Sequence, residues 1–150
     1  MNEALPEGLI VRLARDGPDA VVFADAAGKI RFWNRSVTRI FGFEEAEALG
    51  QTLDLIVPER QRARHWEGYN RVMAGGASRY GAGDVLAVPA MRKDGKRISV
   101  EFTILPVRDA AGAVLGIAAF LRDVTRRFEE LRGLRREVAA LQAQSVRNDS

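Results

Sequence analysis

The apolar residues of this chain change their period several times, and each change marks an element. After Pro6, Leu9, Ile10, Leu13 and Ala14 recur at helical spacing up to the breaker Asp16-Gly17-Pro18, which predicts a short amphipathic cap helix. Ala20 to Ala24 and Lys29 to Trp33 are short β-prone runs, and Asp25-Ala26-Ala27-Gly28 between them has the chemistry of a hairpin turn. Asn34 offers a side-chain cap to a helix that carries Val37, Ile40 and Phe41 and is closed by Gly42. A further helical turn or two over Phe43 to Leu49 ends at Gly50. Pro58 can then open a longer helix at its first position, where a missing N–H costs nothing, and that helix runs to about Ala74 before Gly75-Gly76.

From Val85 the pattern turns to β. Val85 to Met91 is followed by a turn at Lys93-Asp94-Gly95-Lys96. Arg97 to Val107 then places Ile98, Val100, Phe102 and Ile104 on one face. Asp109-Ala110-Ala111-Gly112 is a second hairpin turn, and Val114 to Arg122 is apolar enough for a central strand. Beyond it Val124, Phe128, Leu131, Leu134, Val138 and Leu141 recur at intervals of 4, 3, 3, 4 and 3, an amphipathic helix from Asp123 to Gln144. Nothing further along the chain can cover that stripe, so a partner helix is expected; Ser145 to Ser150 reads as a frayed polar tail.

Composition narrows the chemistry. There is no cysteine, so disulfides, thiolate metal sites, cysteine nucleophiles and cysteinyl-flavin photochemistry are excluded. The net charge of +3 is spread among neighbouring acids, which predicts a solvated surface and no direct nucleic-acid partner. No apolar run reaches the roughly 18 residues of a membrane span, and Met1 to Pro6 lacks the features of a signal peptide; a cytoplasmic protein is expected. Ser36, Ser78 and Ser99 have no histidine in a nucleophilic pattern, and no phosphate loop is present, so the chain is expected not to be an enzyme.

Several words occur in an order that resembles the PAS domain family: Pro18-Asp19-Ala20, Gly28-Lys29-Ile30 leading to Trp33-Asn34, Phe41-Gly42-Phe43, Arg92-Lys93-Asp94-Gly95 and Arg122-Asp123-Val124-Thr125. The resemblance covers roughly residues 16 to 127. It implies an α+β PAS fold with a five-stranded antiparallel sheet and short helices on one face. On that plan residues 1–17 are a cap helix, 18–125 the PAS domain and 126–150 a coiled-coil exit helix with its tail. It further implies a sensory module in signal transduction that forms a homodimer and relays a cavity signal to an output domain or protein, such as a histidine kinase or transcription regulator. A ligand-free interaction and dimerisation module is the alternative.

His65, the one histidine, lies in Arg64-His65-Trp66-Glu67-Gly68-Tyr69, which resembles the heme-bearing helix of oxygen-sensing PAS domains. The resemblance implies heme b, with His65 as the iron ligand and Arg71 and Arg79 as partners of the propionates, since imidazole suits iron and guanidinium suits carboxylate. Tyr80, Phe102 and Ile104 would lie over the iron, Tyr80 as the one hydrogen-bond donor among them. The place of a ligand-binding arginine falls near Val85 or Leu86, and a wall without that donor favours carbon monoxide or nitric oxide over oxygen. Against heme stands a histidine that is merely a partly exposed helix residue.

Overall fold

The computed structural model describes residues 3–75 and 86–149. Helix α1 (Leu9–Asp16) precedes strands β1 (Ala20–Asp25) and β2 (Ile30–Trp33). Helices α2 (Arg35–Phe41) and α3 (Glu45–Ala48) and a 3-10 turn (Leu53–Leu55) lead to α4 (Glu59–Met73). Strands β3 (Leu86–Met91), β4 (Arg97–Arg108) and β5 (Val114–Asp123) follow, and α5 (Thr125–Asn148) leaves the module. The five strands form one antiparallel sheet in the order β2-β1-β5-β4-β3. This is the α+β architecture that the resemblance implies.

Hairpins account for the β1–β2, β3–β4 and β4–β5 pairings, but the β1–β5 pairing joins the two ends of the module, with Val22 opposite Ala119 and Ala24 opposite Ile117. β3 is an edge strand, which is why Pro89 is tolerated in its ladder. Period two directs Ala20, Val22, Ala24, Ile98, Val100, Ile117 and Leu121 inward, where all are buried. Two clusters result. One gathers Trp33, Val37, Phe41, Ile98 and Val100 with α2, and the other gathers Ala24, Tyr69, Val72 and Ile117 with α4.

Three local expectations shift. Pro58 stands at the N-cap of α4 and Glu59 takes the first helical position. The helix expected over Phe43 to Leu49 contracts to the four residues of α3, opened by a capping box between Glu44 and Glu47. α5 continues past Gln144 to Asn148, because nothing in Ser145-Val146-Arg147 breaks a helix and the Asp149 amide closes on the Ser145 carbonyl. No helix among the described residues is long and apolar enough to cross a membrane.

Candidate functional site

The heptad-like step His65, Tyr69, Val72 places three side chains on one face of α4. Tyr69 and Val72 are buried against Ala24 and Ile117, while His65 is half-buried one turn earlier. The Tyr69 hydroxyl lies 2.6 Å from the Asp25 carbonyl oxygen and 3.1 Å from that of Ala24, and its single proton is shared between them. Burial, together with the Asp25 carboxylate and against the pull of the Ile117 amide, pushes this phenol up to about 12, so it stays a donor at neutral pH. Trp66 supplies the second tie: its indole N–H donates to Asp54 Oδ1 at 2.8 Å. Arg62 supplies a third by donating to the Val57 and Asp54 carbonyls.

The indole also covers the β1–β2 turn. Gly28 has φ +78° and a Cβ built on it would fall 2.2 Å from the Trp66 ring, so this position requires glycine both for its backbone and for its neighbour. Asp25 closes the same turn by accepting from the Ala27 and Lys29 amides and pairing with Arg31 at 2.7 Å. The Arg31 bond, helped by those amides, holds the Asp25 carboxyl below its usual range.

His65 packs edge-on against Trp66, with ring centroids 4.8 Å apart, and lies 5.9 Å from the Tyr69 ring. Its Nδ1 is buried without a hydrogen-bond partner, as is Oε1 of Gln61 one helical turn away. Burial lowers the imidazole's proton affinity below the ordinary value of 6.5, against the opposing field of Asp54, so the ring is neutral at physiological pH. The folded form therefore binds fewer protons than the unfolded chain below that value, and stability falls as pH drops through 6.5 toward the folded-state value. We expect urea midpoints to decline across this window in the parent chain and to stay level in His65→Gln. The lowered carboxyls of Asp25, Glu47 and Asp94 lose their contributions only at lower pH.

The structure distributes the other site residues expected from sequence. Ile104 packs beside Tyr69 and Val72 on the sheet under α4, whereas Phe102 joins the cluster beneath α2. Arg71 is exposed on the flank of α4 and pairs with Glu67 at 3.4 Å. Arg79 and Tyr80 lie outside the described residues. Sequence reading did not single out Tyr69, Asp54 or Gly28 as parts of the site; Gly28 was legible only as a turn residue, and the other two carried no local signal.

Tested against a heme, this donor set fits at one point: His65 offers a neutral imidazole with an unpartnered buried nitrogen. Ile104 and Ile117 supply an apolar wall. Tyr69 and Val72, however, fill the space between that face of α4 and the sheet, so a macrocycle seated there requires both to move and the Tyr69 bonds to break. Among the described residues no group of three His, Asp or Glu side chains could hold a metal ion by itself.

A family model described as PAS fold matches residues 15–129. An uncharacterized protein of Azorhizobium caulinodans is 32% identical over 136 residues, which cover 87% of this chain and 18% of that protein. The sensor protein FixL of Bradyrhizobium diazoefficiens is 29% identical over 109 residues, 72% of this chain and 21% of its own length. The chain thus spans about a fifth of these relatives. Among solved structures, an RNA-binding light-oxygen-voltage receptor superposes with a TM-score of 0.72 at 25% identity over 96% of this chain and 40% of its own. A PAS domain from Colwellia psychrerythraea superposes with 0.67 at 19% identity over 78% and 95%.

Proposed function

Because this chain belongs to the PAS-fold family, we propose that it is the sensory module of a larger signalling protein, that two copies pair, and that α5 carries a signal to an output unit such as a histidine kinase or transcription regulator. The observation that carries this reading is the junction of β4, β5 and α5. The Ser99 amide donates to Thr125 Oγ1 at 3.0 Å, the Val124 amide donates to the Ser99 carbonyl, and Asp123 accepts from the Thr125 amide and hydroxyl. A shift of β4 or β5 is thereby passed to the first turn of α5 rather than absorbed in a loop. The exposed apolar stripe of that helix and the exposed Ile10, Val11 and Leu13 of α1 support pairing.

The same reading is of a cytoplasmic, non-catalytic module that does not itself bind nucleic acid. For the absence of catalysis and of nucleic-acid binding, the support is structural use of the relevant groups. The Ser36 hydroxyl donates to the Gly17 carbonyl, and Arg31, Arg62, Arg92 and Lys93 are paired with carboxylates.

The finer reading is a heme-based gas or redox sensor, favoured by the neutral His65 with its unpartnered nitrogen and by the sensor protein among the relatives. In it His65 would hold the iron and Arg71 would leave Glu67 for a propionate. When bound, the heme would supply reversible binding of a diatomic gas. The competing reading, a ligand-free interaction module, is favoured by Tyr69 and Val72 filling the space beside His65. The chain expressed with added hemin decides between them through its visible spectrum before and after reduction and carbon monoxide. A Soret band present in the parent and lost in a folded His65→Ala supports the heme sensor. A colourless, folded parent removes it and leaves interaction as the function.

A further inference from the structure

Where β5 ends, a groove of about 310 Å³ lies between α2 and the entrance of β1. Its charged walls are Arg39 from α2, Asp19 from the approach to β1, and Arg122 and Asp123 from the end of β5. Pro18, Ile40 and Leu121 add an apolar lining. Among the described residues neither guanidinium has a carboxylate partner, and Asp19 has no cationic one. Glu101, which faces Arg122 across the β4–β5 ladder, pairs instead with Arg127 at 3.8 Å. Arg39 is held in place from one side: its Nη2 donates to Ser36 Oγ, and the buried Ser36 hydroxyl donates to the Gly17 carbonyl at 2.8 Å. A guanidinium has five N–H donors, so this bond orients the group and leaves its other donors to a ligand. Asp123 is oriented in the same way, because its Oδ1 accepts from the Thr125 amide and hydroxyl.

We propose that this groove binds a small zwitterion, an α-amino acid with an aliphatic side chain, whose carboxylate is shared by Arg39 and Arg122 and whose ammonium rests on Asp19. Charge selects the class. A simple anion is attracted by the two arginines but repelled by Asp19 and Asp123, and a simple amine meets the reverse; a ligand carrying both signs satisfies all four groups. Guanidinium also grips a carboxylate through paired N–H···O bonds, which a point charge does not. Size points the same way, because the volume stands at the lower end of the roughly 300 to 1,000 Å³ of small-molecule sites. The side chain then covers Ile40, Pro18 and Leu121. This site is separate from the face of α4 that carries His65, and its binding holds whether or not two copies pair. Its consequence for signalling rests on the junction described above: Asp123 is both a wall of the groove and the cap of the first turn of α5, so an occupant touches the residue that fixes that turn.

The test is a titration of the full chain with L-leucine, read by thermal unfolding and by backbone amide chemical shifts. At about ten times a dissociation constant on the order of 1 mM, Tm should rise by about 4 °C. Leucinamide, which lacks the carboxylate, and N-acetylleucine, which lacks the ammonium, should each move it by less than about 1 °C at the same concentration. The amides of Ala20, Arg122 and Val124 should shift with leucine, and that of Val72 under α4 should not. Arg39→Gln and Arg122→Gln should each weaken leucine binding roughly tenfold. Both side chains are exposed, so the unliganded variants should unfold near the parent's temperature, and Arg136→Gln on α5 should bind as the parent does. No effect of leucine overturns the proposal, and so do equal effects of leucine and its two derivatives, which mark apolar contact without charge recognition. Unchanged binding in both arginine variants overturns it as well. Leucine binding with shifts confined to the α4 face overturns this site and leaves the sensor reading intact.

Discussion

Asn34→Ala is expected to lose about 4 kcal/mol of stability, a drop of roughly 10 °C in Tm for a chain of this size. The side chain is 2% exposed and uses all of its hydrogen-bonding capacity. Its Oδ1 accepts from the Val21 amide at 3.1 Å and the Val37 amide at 3.2 Å, joining β1 to the N-terminus of α2. Its Nδ2 donates to the Ala14 and Asp19 carbonyls, both at 2.8 Å, which ties α1 and the strand entrance to the same point. Truncation leaves two amides and two carbonyls without partners, each costing about 1 kcal/mol where water cannot fully replace the bond. Thermal unfolding by circular dichroism checks the magnitude. Asn34→Asp separates the roles: it keeps the acceptor, loses both donors and buries a charge. Its deficit at neutral pH should match or exceed that of alanine and shrink on acidification, as the protonated acid recovers one donor. A loss below about 1 kcal/mol in Asn34→Ala would mean that α1 is held by other contacts.

The second large effect is expected from one methyl group. Gly116 lies in β5 opposite Asp25 of β1 and Val107 of β4, in the middle of the sheet. A Cβ there would stand 2.2 Å from the Ala24 carbonyl oxygen and 2.6 Å from the Phe23 ring. The ring can turn away, but the carbonyl belongs to the strand beside it, so β1 and β5 must separate. Gly116→Ala should therefore cost roughly 3 kcal/mol, the upper range of overpacking penalties. Phe23→Ala in the same chain should not restore the loss, since the backbone contact remains. The Ala24 carbonyl also faces the Tyr69 hydroxyl, which extends the disturbance to α4. Urea unfolding with an unchanged m-value is the measurement; full recovery in the double variant would place the conflict in the ring alone.

Much of this module is legible residue by residue because its elements are announced locally. Asn34 is read as a helix cap from its position before Val37, Ile40 and Phe41, and the structure confirms the Val37 bond. What that reading misses is the pair of donors reaching Ala14 and Asp19, 20 and 15 residues back. The site divides the same way. His65 stands out by being the single histidine, but nothing nearby in the chain says that its Nδ1 is buried or that Tyr69 reaches residues 44 and 45 positions earlier. Trp66 is ambiguous from sequence, edge of a pocket or surface of a helix, until Asp54 and Gly28 are seen to hold it. Arg71 is expected near a carboxylate and has one, but it is Glu67 on the same helix.

By itself, then, the order of residues determined the three hairpins, the caps and lengths of most helices, the apolar stripe of α5 and the exclusion of all thiol chemistry, because periods of two and 3.6, turn residues and missing atoms are local properties. Only the tertiary structure decided that β5 lies between β1 and β4, that Tyr69 and Trp66 fasten α4 to the first hairpin and the turn before α4, and that the imidazole of His65 is kept neutral by burial. Those outcomes depend on which distant surfaces meet when the sheet closes, and desolvation at one atom is set by neighbours that the chain brings together only in three dimensions.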